Sequence, residues 1–367
     1  MNRTRGFSLV ELMVAITVAM IITAGMLSVF VASRSAFQAT SGTAALSDNG
    51  RFALSFLESA VRDAGNMACG SAVRTIVNVN PEPTSLYYAV GPGPLFQFQP
   101  MSGFEAVGTG VGSTYAASTT AGTLASWNPP SGWPAGLDAA FNSLARRPVQ
   151  RNDIIVVRSS TQGGQPAYVT AAGANSLTLV SVPTAWAAPQ LAIVSDCVKS
   201  LVFQISAIGG TTISHNTGGS PGNLSSTFPA TITFAAGSLV TALETTAYYI
   251  GLGADGDGAL FSADLSANNT FTPNELVPDI EAMQILYGLD TNQTQTVAEY
   301  VTADQIADFT SVMSVEIAVL AAGPVGSAQM ATVGKPYNLF GTIVTAPIDS
   351  RMRQVFEVTI AARNSLP

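Results

Sequence analysis

The sequence predicts an α+β protein in which a long N-terminal helix packs on a large, antiparallel β-rich domain. Three observations carry this. Leu12 to Ala32 contains no charge over 21 residues, enough to cross a bilayer core as a helix. Leu54, Leu57, Val61 and Ala64 then recur at helical spacing, with Phe52 and Phe56 widening the stripe. After Gly65, short β-branched runs alternate with Gly, Pro, Ser and Asn clusters, the pattern of many short strands rather than βαβ units.

The N-terminal segment is basic at its start, with Arg3 and Arg5, which predicts a cytoplasmic amino terminus. A signal peptide cut after "VFVAS" and a plain signal anchor are the alternatives. Neither accounts for Glu11, the single formal charge between Phe7 and Ala32. A carboxylate at the membrane centre costs a few kcal/mol, so such a residue is a functional candidate.

The stretch "RGFSLVELMVA" resembles the processing site of type IV prepilins. There a short basic leader ends in Gly, Phe follows, and a Glu lies four positions later. The resemblance implies a leader at residues 1–6, cleavage by prepilin peptidase between Gly6 and Phe7, and N-methylation of Phe7. It also implies an assembly role for Glu11, whose carboxylate meets the new α-amino group of a neighbouring subunit. A buried pair of opposite charges is tolerable where either alone is expensive. The expected layout is a helix over 7–64, transmembrane over about 9–32, followed by a β-rich periplasmic or extracellular domain over 65–367.

Gly42 and Gly50 each weaken a helix by about 1 kcal/mol relative to Ala, and "SDNG" at 47–50 offers a break with a new N-cap. One continuous helix ending at Gly65, or an anchor plus a separate amphipathic helix, both satisfy the pattern. Strands are expected at 74–79, 153–160, 176–182, 201–206, 246–251, 311–320 and 353–362. Met313, Val315, Ile317 and Val319 should share one face, as should Phe356, Val358 and Ile360. The segment from about 91 to 148 has weak periodicity and reads as an irregular insertion.

Cys69 and Cys197 are the two cysteines of the chain. An even count on the oxidising side of a membrane favours a disulfide over two separate thiols. "RDAGNMACG", "SDCVKSLVFQIS", "AYYIG" and "ELVPDIEAMQILYGLD", with a terminal "ARN", resemble in order the landmarks of the PilW group of minor pilins. Met67-Ala68 and Glu316 depart from that pattern.

Charged residues make up 10% of the chain, net charge is −8 and pI about 4.6, so nucleic acid is not expected as a partner. Arg146, Arg147, Arg151 and Arg158 read as the solvated ends of a strand. Asp255 with Asp257, and Asp290 with Asn292, sit at alternate positions like the opening of a calcium loop, but each ligand set is incomplete. Hairpin turns are the expectation there, calcium the alternative, and no other cofactor is expected. The lone His215 has no catalytic partner in the sequence, nucleotide and nucleophile motifs are missing, and Asp279 and Glu281 in "DIEAM" read as a solvent edge. No enzyme is expected.

The resemblance therefore implies a minor pilin that helps initiate type IV pilus assembly and sits at or near the tip. Implied partners are the major pilin, other minor pilins, a tip adhesin-like protein and prepilin peptidase, with residence in the inner membrane before assembly. A type II secretion pseudopilin and a membrane-anchored adhesive protein unrelated to pili are the alternatives.

Overall fold

In the computed structural model the described residues are 8–66, 69, 74–77, 99–131, 144–160, 166–217, 222–229, 232–265, 271–292, 294–331 and 333–362. Helix α1 (Leu9–Asp63) runs unbroken for 55 residues, about 82 Å at 1.5 Å per residue. The strands follow in chain order. They are β1 (Arg74–Val77), β2 (Met101–Ala106), β3 (Thr114–Ala116), β4 (Trp127–Asn128), β5 (Ile154–Ser160), β6 (Ala167–Ala172) and β7 (Ser176–Leu179). Next come β8 (Gln190–Ser195), β9 (Lys199–Ile205), β10 (Ala207–Gly209), β11 (Thr212–Ser214), β12 (Leu239–Leu252), β13 (Gly258–Leu265) and β14 (Phe271–Pro278). The last third supplies β15 (Ile280–Leu289), β16 (Glu299–Val301), β17 (Val312–Ala322), β18 (Pro336–Leu339), β19 (Thr342–Thr345) and β20 (Arg353–Ala361).

Strand β12 is the spine of the head. Its first residues pair with β8 and β6, and its remainder pairs with β5 and β13, so one strand belongs to two lobes. Pairing is antiparallel apart from β1 on β9 and β3 on β19, which are parallel. A separate sheet has the order β16-β15-β17-β20, and a small sheet of β18, β19 and β3 covers its far face.

Alternation along the strands sorts the core into layers. On β5, Ile155 and Val157 face α1 while Ile154 and Val156 face a second cluster with Phe104, Tyr249 and Phe261. On β17, Val315, Ile317, Val319 and Ala321 face α1, and Ala318 and Leu320 face the small sheet. β17 is thus buried on both faces, not half-buried. Met313 falls out of the expected face because the register with β15 shifts beside it, which brings Val312 into the core instead.

The seam of α1 is Gly42, Leu46, Gly50, Ala53 and Leu57, spaced by three and four residues, followed by Ala60 and Val61 three and four residues further on. Burying each of its larger side chains contributes about 1.5–3 kcal/mol. Leu57, Val61 and Ala64 lie on it as expected, but Phe52 and Phe56 point away from the head and stay exposed. The two glycines explain the seam's path. A Cβ at Gly42 would lie 2.4 Å from Cβ of Ser327, and one at Gly50 would lie 2.3 Å from the ring of Phe356. These positions are close-approach sites rather than breaks in the helix.

Several other residues depart from the sequence-based expectations. Within the supposed insertion, β2 is fully buried and pairs with β5; residues 91–98 and 132–143 lie outside the described residues. Arg158 is no solvated strand end: it is wholly buried and donates to the Gln99 carbonyl at 3.3 Å and to Ser102 Oγ at 3.1 Å. Burial pushes its guanidinium down to about 9. Asp279 and Glu281 are not a bare solvent edge either. Arg353 grips Glu281 through two contacts of 2.6 and 2.8 Å, and Arg351 pairs with Asp279 and, at 2.7 Å, with Asp257.

The seam yields a discriminating test. Helix propensity alone predicts that Gly42→Ala and Gly50→Ala stabilise by about 1 kcal/mol each. Close packing predicts the reverse, a loss of roughly 1–3 kcal/mol from overpacking, read as a lower thermal midpoint for both variants.

Candidate functional site

The functional residues singled out in the sequence cluster at the two ends of α1. From Leu9 to Gln38 every residue of the helix is exposed, and the apolar window long enough to cross a membrane has none of its residues buried on the head. Three of its hydroxyls bond to the helix's own backbone. Thr17 donates to the Val14 carbonyl, Thr23 to Ala19 and Ser28 to Gly25, each at 2.8 Å. Such back-bonding removes the cost of a lone hydroxyl in hydrocarbon.

Glu11 stands in the first turn, where a carboxylate suits the positive end of the helix dipole. Its Oε2 accepts the Ser8 backbone N–H at 3.1 Å. This contact was legible as the Ser-x-x-Glu spacing of a capping box, which the reading of Glu11 as a purely intersubunit group overlooked. One carboxylate oxygen is therefore engaged within the chain, leaving further acceptor capacity for a cation. Gly6 and Phe7 lie outside the described residues.

At the other end, Gly65 donates its N–H to the Arg158 carbonyl at 2.8 Å, and Cys69 is joined to Cys197 with Cα atoms 5.1 Å apart. The bond ties the chain leaving α1 to the tight turn between β8 and β9. That turn is organised by Asp196, whose Oδ1 accepts the N–H groups of Val198 and Lys199.

The calcium candidates are turns. The Asp257 N–H donates to Asp255 Oδ1 at 3.1 Å, Gly256 supplies the positive φ of 87°, and the Asp257 carboxylate is committed to Arg351. Asp290 accepts the N–H groups of Thr294 and Gln295 at 3.0 and 2.8 Å, with Asn292 in the same turn. Among the described residues no group of three or more His, Cys, Asp or Glu is arranged to hold a metal. His215 packs in the core, stacked on Phe228 at 4.0 Å, and burial pushes its imidazole down to about 4. Arg146 reaches the carbonyls of Leu252 and Gly253, and the Arg151 guanidinium lies 5.7 Å over the Tyr115 ring.

A buried acid pair was not legible in the sequence. Glu105 on β2 and Asp153 at the start of β5 are both almost fully buried. Asp153 accepts the N–H groups of Ala106 and Ile285 at 3.0 and 2.8 Å, which clamps β2 and β15 to the start of β5; burial pushes its carboxyl up to about 7, and these two bonds hold it from rising further. Glu105 accepts from Thr109 Oγ1 at 3.0 Å. Burial, and next the Asp153 charge, drive the Glu105 carboxyl far above its ordinary range, so Glu105 carries the proton of the pair.

Two outcomes follow from this geometry. The folded state holds the Glu105 proton where the unfolded chain has lost it, so this contribution to stability is complete in mild acid and fades as pH rises from about 5. Glu105→Gln should flatten that decline between about pH 5 and 9 and raise the thermal midpoint at pH 8 by at least about 2 °C. Reducing the Cys69–Cys197 bond, which spans a sequence separation of 128, should lower unfolding free energy by about 5 kcal/mol in the chain-entropy treatment. Guanidinium titration with and without reductant measures it.

Residues 247–364 match the family model described as Type IV Pilus-assembly protein W, and residues 1–27 match the Prokaryotic N-terminal methylation motif. The first match begins within β12 and covers the whole sheet on which α1 rests; the second extends into the exposed apolar part of α1. No curated protein matches. Among solved structures, the chain is similar to a Type IV-like pilin TTHA1219 from Thermus thermophilus at 15% identity and a TM-score of 0.24, covering 48% of this chain and 84% of that one. The methylation motif at the amino terminus and the assembly-protein match in the last third together support a PilW-like minor pilin of the type IV pilus.

Proposed function

We propose that this protein helps initiate type IV pilus assembly and occupies a position at or near the pilus tip. The observation that carries the reading is α1 itself: an apolar rod about 45 Å long from Leu9 to Gln38, free of the head, with one carboxylate in its first turn. Such a surface is stable only in lipid or among other helices of the same kind. In this reading prepilin peptidase removes residues 1–6, methylates Phe7, and leaves an α-amino cation one helical turn from Glu11. The uncut chain resides in the inner membrane with residues 65–367 in the periplasm. After cleavage the helix leaves lipid to pack against the major pilin and other minor pilins.

The exposed Phe52 and Phe56 extend this rod upward on the side opposite the head, which supports packing among sibling helices. A head of about 300 residues crowds a repeating lattice, which favours few copies placed terminally beside a tip adhesin-like protein. The role is structural rather than catalytic. A type II secretion pseudopilin shares the N-terminal features, but the assembly-protein match over residues 247–364 favours the pilus.

Glu11→Ala should leave the chain inserted and cleaved but cut its recovery in sheared fibres by about ten-fold, the loss of roughly 1.4 kcal/mol of docking energy. Immunoblots of membrane and sheared-fibre fractions read the outcome. Normal recovery in fibres contradicts the pairing.

A further inference from the structure

We propose that the underside of the head is a lipid-contacting surface: the ribbon from Gly323 to Arg351, led by Val325 and Ile348, rests in the headgroup layer before assembly. The proposal rests on the reading of α1 as membrane-spanning. Contacts along α1 fix which end of the head faces the bilayer. Phe356 meets Gly50, Met352 meets Thr43, Ser327 meets Gly42, and Gly326 approaches the Gln38 side chain. Descending β20 toward its start therefore descends α1 toward its apolar half.

The ribbon lies at that lower end. Gly326 and Ala328 donate to the Ser350 carbonyl, Ala331 to that of Asp349 and Ala346 to that of Lys335, so two antiparallel arms run from α1 to the β18–β19 hairpin. Arg351 and Arg353 anchor it from above through Asp257, Asp279, Glu281 and Asp349. A rigid mount thus carries an apolar rim. Val325 is 74% exposed, Met330 70%, Val333 73% and Ile348 60%, and Phe37 on the adjacent turn of α1 is 73% exposed. Residues 323–348 contain one charge, Lys335, and no acid, in a chain where acids outnumber bases 23 to 15.

Height decides the occupant. From Ala32, the end of the uncharged run's spanning portion, to Gln38 is six residues, about 9 Å along the axis. Headgroup layers extend roughly 5–8 Å beyond each side of the hydrocarbon, and a modest helix tilt lowers one side of the head further. The rim is therefore level with the outer headgroups. The acids behind the rim outnumber their two arginines, so the contact is apolar rather than a charge attraction to anionic lipid.

The test uses the full chain in phosphatidylcholine nanodiscs, with an environment-sensitive dye on one engineered cysteine at a time: Val325→Cys, Ile348→Cys, Val180→Cys after β7, or Ser28→Cys within α1. Nitroxides on lipid headgroups should quench the dye at 325 and 348 at least about two-fold more than at 180, and acyl-chain nitroxides should quench it at 28. Equal quenching at 325, 348 and 180 with strong quenching at 28 overturns this inference and leaves the membrane-spanning reading intact. Absence of quenching at 28 overturns both. Protection of 325 and 348 that arises only on adding a second pilin assigns the rim to a subunit contact and overturns the lipid assignment.

Discussion

One constraint shapes the molecule: a single helix must meet two different surroundings. Below Gln38, α1 is exposed and apolar, a surface that under the proposed function lies in hydrocarbon, where each unpaired polar group costs several kcal/mol. Thr17, Thr23 and Ser28 fold back on carbonyls of the preceding turn, and its one carboxylate takes a backbone N–H at the first turn. Above Gln38, the same helix must press against a flat sheet, and it does so by losing side chains at Gly42 and Gly50 and keeping Ala53 and Ala60 small. A helix optimised by propensity alone would fail at the second task.

The head hangs from this helix by fixings of different chemistry. Glycine contacts hold its lower edge, a layered apolar core holds the middle, and the Gly65 hydrogen bond with the Cys69–Cys197 bond holds the top. Because β12 pairs with β8 at its start and with β5 further along, it joins the two lobes through continuous backbone hydrogen bonding. Two buried charged features lock the strands that meet there: the Glu105–Asp153 pair joins β2, β5 and β15, and Arg351 with Arg353 ties the ribbon to the starts of β13 and β15. Rigidity of this kind suits the proposed function, in which the helix moves from lipid into a fibre while the head keeps one shape.

Much of this was legible in the residues, and the exceptions have physical reasons. The long helix, most of its seam and the paired cysteines followed from periodicity and compartment. Strand β15 escaped notice because "IEAMQILYGL" lacks alternation, being buried on both faces, and β2 because "MSGFEA" is short and glycine-containing. Phe52 and Phe56 were assigned inward on hydrophobicity, yet they stay exposed because the seam of α1 is the narrower stripe of small and aliphatic residues. Gly42 and Gly50 read as weak points because a sequence shows propensity but not the distance to Ser327 or Phe356. Arg158, Glu105 and Asp153 look like ordinary surface charges in one dimension; only the third reveals that they are interior. Glu11 was singled out by its isolation in an apolar run, whereas its local bond to Ser8 was hidden behind the more conspicuous question.

The account as a whole depends on Glu11 acquiring the α-amino cation that processing creates. Mass spectrometry of the N-terminal peptide from the native protein tests that step directly. The account predicts a peptide beginning at N-methylated Phe7. A peptide that retains Met1 to Gly6, or one that begins near Ala32, contradicts it.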